Sequence, residues 1–321
     1  MLKDITVEKG YECLNACILN WLHYSGVIVN SSDIYFASEV DHLKFNDITE
    51  ELSINAYEKN FSFMDKYCVT YKMCNSTKDN CIDQLNKIVA NNNHIILKTC
   101  PEKLGYTNAF SLNRDAPHFI NVLDIKEDGK ILILDGYIPT LNSTTFIGYI
   151  DFEDFLEAWA EREYEYILLD NLEELNTEKI KNEAVENFKN TIKNYCIESE
   201  KFTDYNFGDE VLKLFYCFFN RVKIQDIPTE NYVEDFFFKI KVFGFMIEKQ
   251  MVFQKLQEGS SEIAKKYERL IGKWNGILLF TRKAIYTKKN TQLDQIYEKI
   301  CEVVIEEKRL FEYALSQETS R

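Results

Sequence analysis

From residue 173 onward the chain carries a single proline, Pro228, and its apolar residues recur every three or four positions. That periodicity leaves no room for a sheet over nearly half the protein. It predicts helices at about 174–197, 207–222, 230–257, 260–287 and 291–316. Within 230–257, Val233, Phe236, Phe237, Ile240, Phe243 and Ile247 fall on one face, a stripe to be buried. Gly244 shares that face, where it weakens the helix slightly but lets a neighbour come close. Short connections near 226–229, at Gly259 and near 289–291 predict antiparallel neighbours in an all-α bundle.

The texture before residue 172 differs. Short apolar runs of β type appear at 94–99 (HIILKT), 118–125 (HFINVLDI), 131–138 (ILILDGYI) and 164–169 (YEYILL). Turn signals such as KEDG at 126–129 separate several of them. Helical patterns lie at 13–24, around 78–91 and at 151–161, where Asp151 is placed to cap FEDFLEAWAER. The expectation is an α+β domain over 1–172, helix first and sheet later, followed by a helical bundle domain over 173–321. A length of 321 residues gives each enough chain to bury a core.

Composition narrows the setting. The opening MLKDITVEKG has no charged-then-apolar signal segment, and no stretch approaches the roughly 20 uncharged apolar residues of a membrane span. A cytoplasmic protein without a membrane partner is expected. Its nine cysteines are then reduced, and their odd number at irregular spacing argues against a disulfide framework. A net charge of −14 disfavours nucleic acid. Residues 1–172 hold 14 Lys and Arg against 27 Asp and Glu, whereas residues 173–321 hold 24 against 25. The acidic field of the front half would favour a cationic substrate; a solvated acidic surface is the plainer alternative.

Two thiols, Cys13 and Cys17, stand one turn apart in YECLNACILNWLHYSG. Leu14, Cys17, Ile18, Trp21 and Leu22 form the apolar face, so Cys17 is placed to be packed. Cys13 lies at the edge of that face in the first turn, where the helix N-terminus favours thiolate over thiol. It is either a nucleophile or ordinary core. No CxxC pair or HExxH motif is present, and Cys68, Cys74 and Cys81 are too irregularly spaced for zinc, so neither metal nor cofactor is expected. Cys196, Cys217 and Cys301 fall in helical stripes and read as core.

A thiolate needs a base. His23 sits roughly 15 Å along the same helix, and His42 and His94 read as surface or structural residues. His118 differs: it follows Pro117, opens HFINVLDI and precedes a strand with an acid, Asp135, inside an apolar run. A buried Asp135 needs a partner, unless it only caps a turn at the strand end. A hairpin with 126–129 as its loop puts Tyr137 opposite His118 and Asp135 diagonal to it, about 7–8 Å away at Cα. A tighter turn at Asp128-Gly129 would put Asp135 opposite Val122, about 13 Å along, beyond reach. The pairing depends on a four-residue loop or an equivalent bulge.

Cys13 opening an early helix, His118 opening a strand and Asp135 seventeen residues later resemble the papain-like cysteine peptidases, especially the bacteriocin-leader-processing branch. YECLNACILNWLHYSG and HFINVLDIKEDGKILILDGY are also similar to the butirosin-biosynthesis H-protein family and to amide-forming cysteine-protease homologues of the closthioamide-assembly type. The resemblance spans about residues 8–170. It implies a papain-like fold with Cys13 as nucleophile, His118 as base and Asp135 as orienting acid. It implies an acyl group moved from the phosphopantetheine thioester of a carrier protein to an amine or diamine. A peptidase or an inactive scaffold are the alternatives. Papain-like enzymes usually place a Gln several residues before the nucleophile to stabilise the oxyanion, but ITVEKGYE at 5–12 contains neither Gln nor Asn. The Cys13 backbone N–H is one candidate donor, and Lys9 or a backbone N–H near Gly10 are the local candidates for the second. Acidic carrier proteins call for a basic docking site, and 265–289 holds Lys265, Lys266, Arg269, Lys273, Arg282, Lys283, Lys288 and Lys289 against Glu268 alone. One solvated face of a bundle helix explains the same residues.

Overall fold

The β-branched runs in the front half form the middle of a six-stranded antiparallel sheet. A computed structural model describes residues 6–38, 43–46, 51–54, 56–67, 69–90, 94–107, 117–126, 128–139, 144–170, 175–196, 207–224, 230–238, 240 and 245–318. His42, Cys68, Phe243, Gly244, the 226–229 connection and residue 127 of the KEDG turn lie outside these. Two compact units are present: Met1–Glu39 with Tyr57–Lys181, and Val40–Ala56 with Asn182–Arg321. The expectation of one cut at residue 172 thus differs from the observed grouping, in which residues 40–56 go with the helical unit.

The elements run α1 (Cys13–Tyr24), α2 (Ser31–Ala37), β1 (Leu43–Asn46), β2 (Glu51–Ile54), α3 (Ala56–Lys66), β3 (Thr70–Asn75), α4 (Cys81–Ala90), β4 (His94–Thr99) and a short 3-10 turn at Pro101–Leu104. Then come β5 (His118–Ile125), β6 (Lys130–Ile138), β7 (Thr144–Asp151), α5 (Phe152–Ala160) and β8 (Glu165–Asp170). The sheet order is β3-β8-β4-β5-β6-β7, and β1 pairs with β2 separately. This is an α+β architecture. One core joins Ile95, Leu97, Ile120, Val122, Ile131 and Ile133 of the central strands to Leu85 of α4 and Phe155 and Trp159 of α5. The other side of β5 and β6 receives α1. Every residue from Cys13 to Leu22 is buried, so this helix lies inside its unit, with no solvent face over that stretch. Asp151 precedes α5, but its side chain makes no capping bond; it ends β7, paired with Lys130.

The second unit carries α6 (Thr177–Cys196), α7 (Phe207–Ile224), α8 (Glu230–Phe238), α9 (Phe245–Gly259), α10 (Ser261–Tyr286) and α11 (Gln292–Glu318). Of the single helix expected over 230–257, the described residues form α8 and α9, with Ile240 in a helical turn between them; 239 and 241–244 lie outside the described residues. The expected stripe forms a core, with Val233, Phe236, Phe237, Ile240 and Ile247 buried. Ser260 caps α10 by accepting from the Ile263 N–H. Helices α10 and α11 run antiparallel, as Lys273–Glu306 and Tyr267–Phe311 contacts require. Between them Glu307 is buried and accepts from Lys249 Nζ (2.7 Å), Tyr195 Oη (2.5 Å) and Trp274 Nε1 (3.2 Å).

Candidate active site

Cys13 is the first residue of α1. Glu12 caps the helix with its side chain, accepting from the N–H groups of Leu14 (2.8 Å) and Asn15 (2.5 Å), while its carbonyl accepts from Ala16 N–H. These bonds leave the Cys13 N–H outside the cap. A glycine at 136, next to Asp135, lets the N-terminal segment and α1 come close. A Cβ there would lie 2.7 Å from the Glu8 carbonyl oxygen and 2.8 Å from Ala16 Cβ. The Gly10 N–H donates to the Gly136 carbonyl (3.3 Å) across this contact. That amide, a local candidate for the oxyanion, is therefore already committed.

His118 and Asp135 meet because of a bulge. Near the turn Ile125 pairs with Ile131 and Asp124 with Leu132. Continued regularly, this register would put Asp135 opposite Asn121, on the other face from His118. Leu123 is instead bulged out, and beyond it Val122 pairs with Ile133 and Asn121 with Leu134. One further step aligns Asp135 with Ile120, diagonal to His118. The two side chains then bond, His118 Nε2 donating to Asp135 Oδ2 at 2.7 Å. Tyr106 Oη donates to the same oxygen (2.6 Å), and the Tyr137 N–H donates to Oδ1 (2.9 Å). Tyr106 is itself fixed by stacking on Phe146, with ring centroids 4.3 Å apart. With Nε2 carrying the proton toward Asp135, the lone pair of the neutral imidazole lies on Nδ1.

The sulfur of Cys13 lies near enough to this pair for the Asp135 charge to act on it. The Phe119 N–H, one residue beyond His118, donates to Sγ. Sγ lies 3.6 Å from Glu12 Oε2 and 3.9 Å from Tyr57 Oη. Relative exposure is 5% for Cys13, 2% for His118 and 0% for Asp135, so water is largely excluded. Burial pushes the Cys13 thiol well above its ordinary value, and the nearby Glu12 carboxylate adds to it; hydrogen bonds from Phe119 and Tyr57 pull the other way. The lowering expected from the helix N-terminus is outweighed. Burial also raises Glu12 to about 7 against the bonds that favour its ionised form.

The sequence reading missed Glu12, Tyr57, Asn60 and Tyr106. Glu12 had a local signal, an acid directly before an apolar helical run. Asn60 donates to Glu12 Oε1 at 2.6 Å and accepts from Tyr11 and Asn15. It reaches the site from α3, as does Tyr57; Tyr106 follows the 3-10 turn. Nothing next to these residues in sequence announces them. Cys17 is buried in α1 and His23 bonds the Val29 carbonyl oxygen, away from the site. Among the described residues all cysteines are free thiols, no group of three or more His, Cys, Asp or Glu is arranged to hold a metal, and no helix is long and apolar enough to cross a membrane.

No protein-family model matches the sequence, and no curated protein matches it. Among solved structures the chain is similar to a putative C39-like peptidase from Bacillus anthracis, at 14% identity and a TM-score of 0.36, over 53% of this chain and 96% of that one.

Proposed function

We propose that this chain is a cysteine-dependent acyltransferase of papain-like type that makes an amide from a carrier-bound thioester and an amine. The observation that carries the reading is the buried His118–Asp135 pair beside a thiol at a helix N-terminus. Because the resting thiol is protonated, His118 Nδ1 removes its proton as Sγ attacks the thioester carbonyl. The carbon–sulfur bond to the phosphopantetheine breaks, and the departing thiolate takes the proton back from the imidazolium. An amine then attacks the acyl-cysteine, gives its proton to His118, and Sγ leaves and is reprotonated. Asp135 holds the ring's tautomer throughout. The dry site favours aminolysis over hydrolysis, and the acidic front half attracts a protonated diamine.

In this reading residues 1–172 perform the chemistry and residues 173–321 receive the carrier. In α10, Lys266 and Arg282 are paired with Glu262 and Glu234, at 2.8 Å each, and Lys273 with Glu306. Lys265, Arg269, Lys283, Lys288 and Lys289 have no ion pair among the described residues; of these, Lys265 and Arg269, one turn apart in α10, are the first docking candidates. Reversing both to Glu is expected to weaken carrier binding and flatten its salt dependence; unchanged binding dismisses the docking role.

Whole-protein mass after incubation with an acyl-carrier thioester tests the function. The parent should gain one acyl group, lose it to an added diamine as amide, and show neither event as Cys13→Ala. Cleavage of peptides without acyl transfer identifies a peptidase. A Cys13 no more reactive than the other thiols identifies a scaffold.

A further inference from the structure

Attack of a thiol on a carbonyl places negative charge on the carbonyl oxygen, and the segment before Cys13 lacks the side-chain amide that would meet it. Two donors are nonetheless available next to Sγ. One is the Cys13 N–H, left out of the Glu12 cap. The other is the Tyr57 hydroxyl, 3.9 Å from Sγ. An oxygen on the carbon bonded to Sγ lies nearer the sulfur than that. It can therefore sit to one side of the line between them, within the about 2.7–3.1 Å that an oxyanion donor requires.

Helix α3 aims the hydroxyl. Tyr57 and Asn60 are three residues apart on one face of this helix. Asn60 grips Glu12, the residue that caps α1 and precedes the nucleophile. Lys59 anchors the same turn on the Tyr35 carbonyl (3.1 Å) and Ser38 Oγ (3.0 Å). The Tyr57 ring meets Phe119 edge-on at 5.7 Å, against the strand that carries His118. Burial, with Cys13 and Glu12 nearby, raises the phenol well above its usual value, so the hydroxyl keeps its proton and acts as a donor.

We propose that Tyr57 Oη–H and the Cys13 N–H form the oxyanion hole, the tyrosine standing where papain-like enzymes use glutamine. The proposal rests on the reading of Cys13 as an acyl-accepting nucleophile. Tyr57 touches the reacting oxygen; its bond to the resting sulfur is secondary.

Tyr57→Phe tests it, with two probes on the full chain. Single-turnover acylation of Cys13 by p-nitrophenyl acetate passes through an oxyanion; alkylation by iodoacetamide does not. The variant is expected to acylate about 10²–10³-fold more slowly, while alkylation of Cys13, mapped by mass, falls by no more than a few-fold from the lost bond to sulfur. Equal acylation in variant and parent overturns the proposal, as does an equal loss in both reactions, which would place the effect on the thiol alone. Failure of the transfer reading looks different: a parent acylated by the ester that makes no amide from a carrier thioester and an amine.

Discussion

Replacing Asp135 by Asn separates the geometry of the site from its charge. The carboxylate accepts three hydrogen bonds, from His118 and Tyr106 on Oδ2 and from the Tyr137 N–H on Oδ1. An asparagine supplies one acceptor oxygen and one donor NH2, so no orientation satisfies all three. With its oxygen toward His118, the NH2 faces the Tyr137 N–H, donor against donor. Flipped, the NH2 faces His118 and Tyr106; the hydroxyl can turn to accept, but Nε2 must lose its proton, which moves to Nδ1. The imidazole then presents a proton to the cysteine where a base is needed. Either arrangement leaves a buried group poorly paired, at about 1–3 kcal/mol. The second also removes the base and should cost about 10⁴ in the rate of acylation. Urea unfolding measures the first effect, and p-nitrophenol release under single-turnover conditions measures the second. An Asn variant that keeps both the parent's stability and an acylation rate within tenfold of it would refute the assignment of His118 as base and Asp135 as its orienter.

Two further outcomes follow from buried ionisable groups. Glu12 is raised from 4.5 to about 7 in the folded chain, so the native state holds its proton over a range where the unfolded chain has released it. Its contribution to stability is present below about pH 4.5 and is lost as pH rises toward 7, by up to about 3 kcal/mol. Denaturation across that window should give a steeper decline for the parent than for Glu12→Gln; parallel slopes would contradict it. In the helical unit, Lys249→Met strands the Glu307 carboxylate at 0% exposure. A loss of about 3–5 kcal/mol is expected, partly recovered by adding Glu307→Gln. A neutral single variant would show that Glu307 is stabilised by Tyr195 and Trp274 alone.

What the sequence makes legible is what short-range patterns encode. The apolar runs at 94–99 and 118–125 and the helical periodicity of α6, α7, α10 and α11 depend on neighbours within a few residues. Strand β7 is harder to read because Thr144, Thr145 and Gly148 dilute its alternation, as befits a half-exposed edge. In the site, His118 and Asp135 can be linked on paper because both belong to one hairpin. The shift at Leu123 cannot be foreseen, since it reflects a compromise between turn and sheet. Tyr57 and Tyr106 lie 44 residues beyond Cys13 and 29 before Asp135 respectively. Only tertiary packing brings them in.

The kink at Leu123 has a bearing on how distant kin of this chain are to be sought. Excising that leucine would leave Val122 facing Ile133 and Asp124 facing Leu132 as they do now, and trimming the adjoining turn would be equally harmless to the pair. The interval separating imidazole from carboxylate is thus free to shrink without disturbing their meeting. A search keyed to a fixed count of positions would overlook such sequences, whereas one keyed to which cross-strand rungs align would find them.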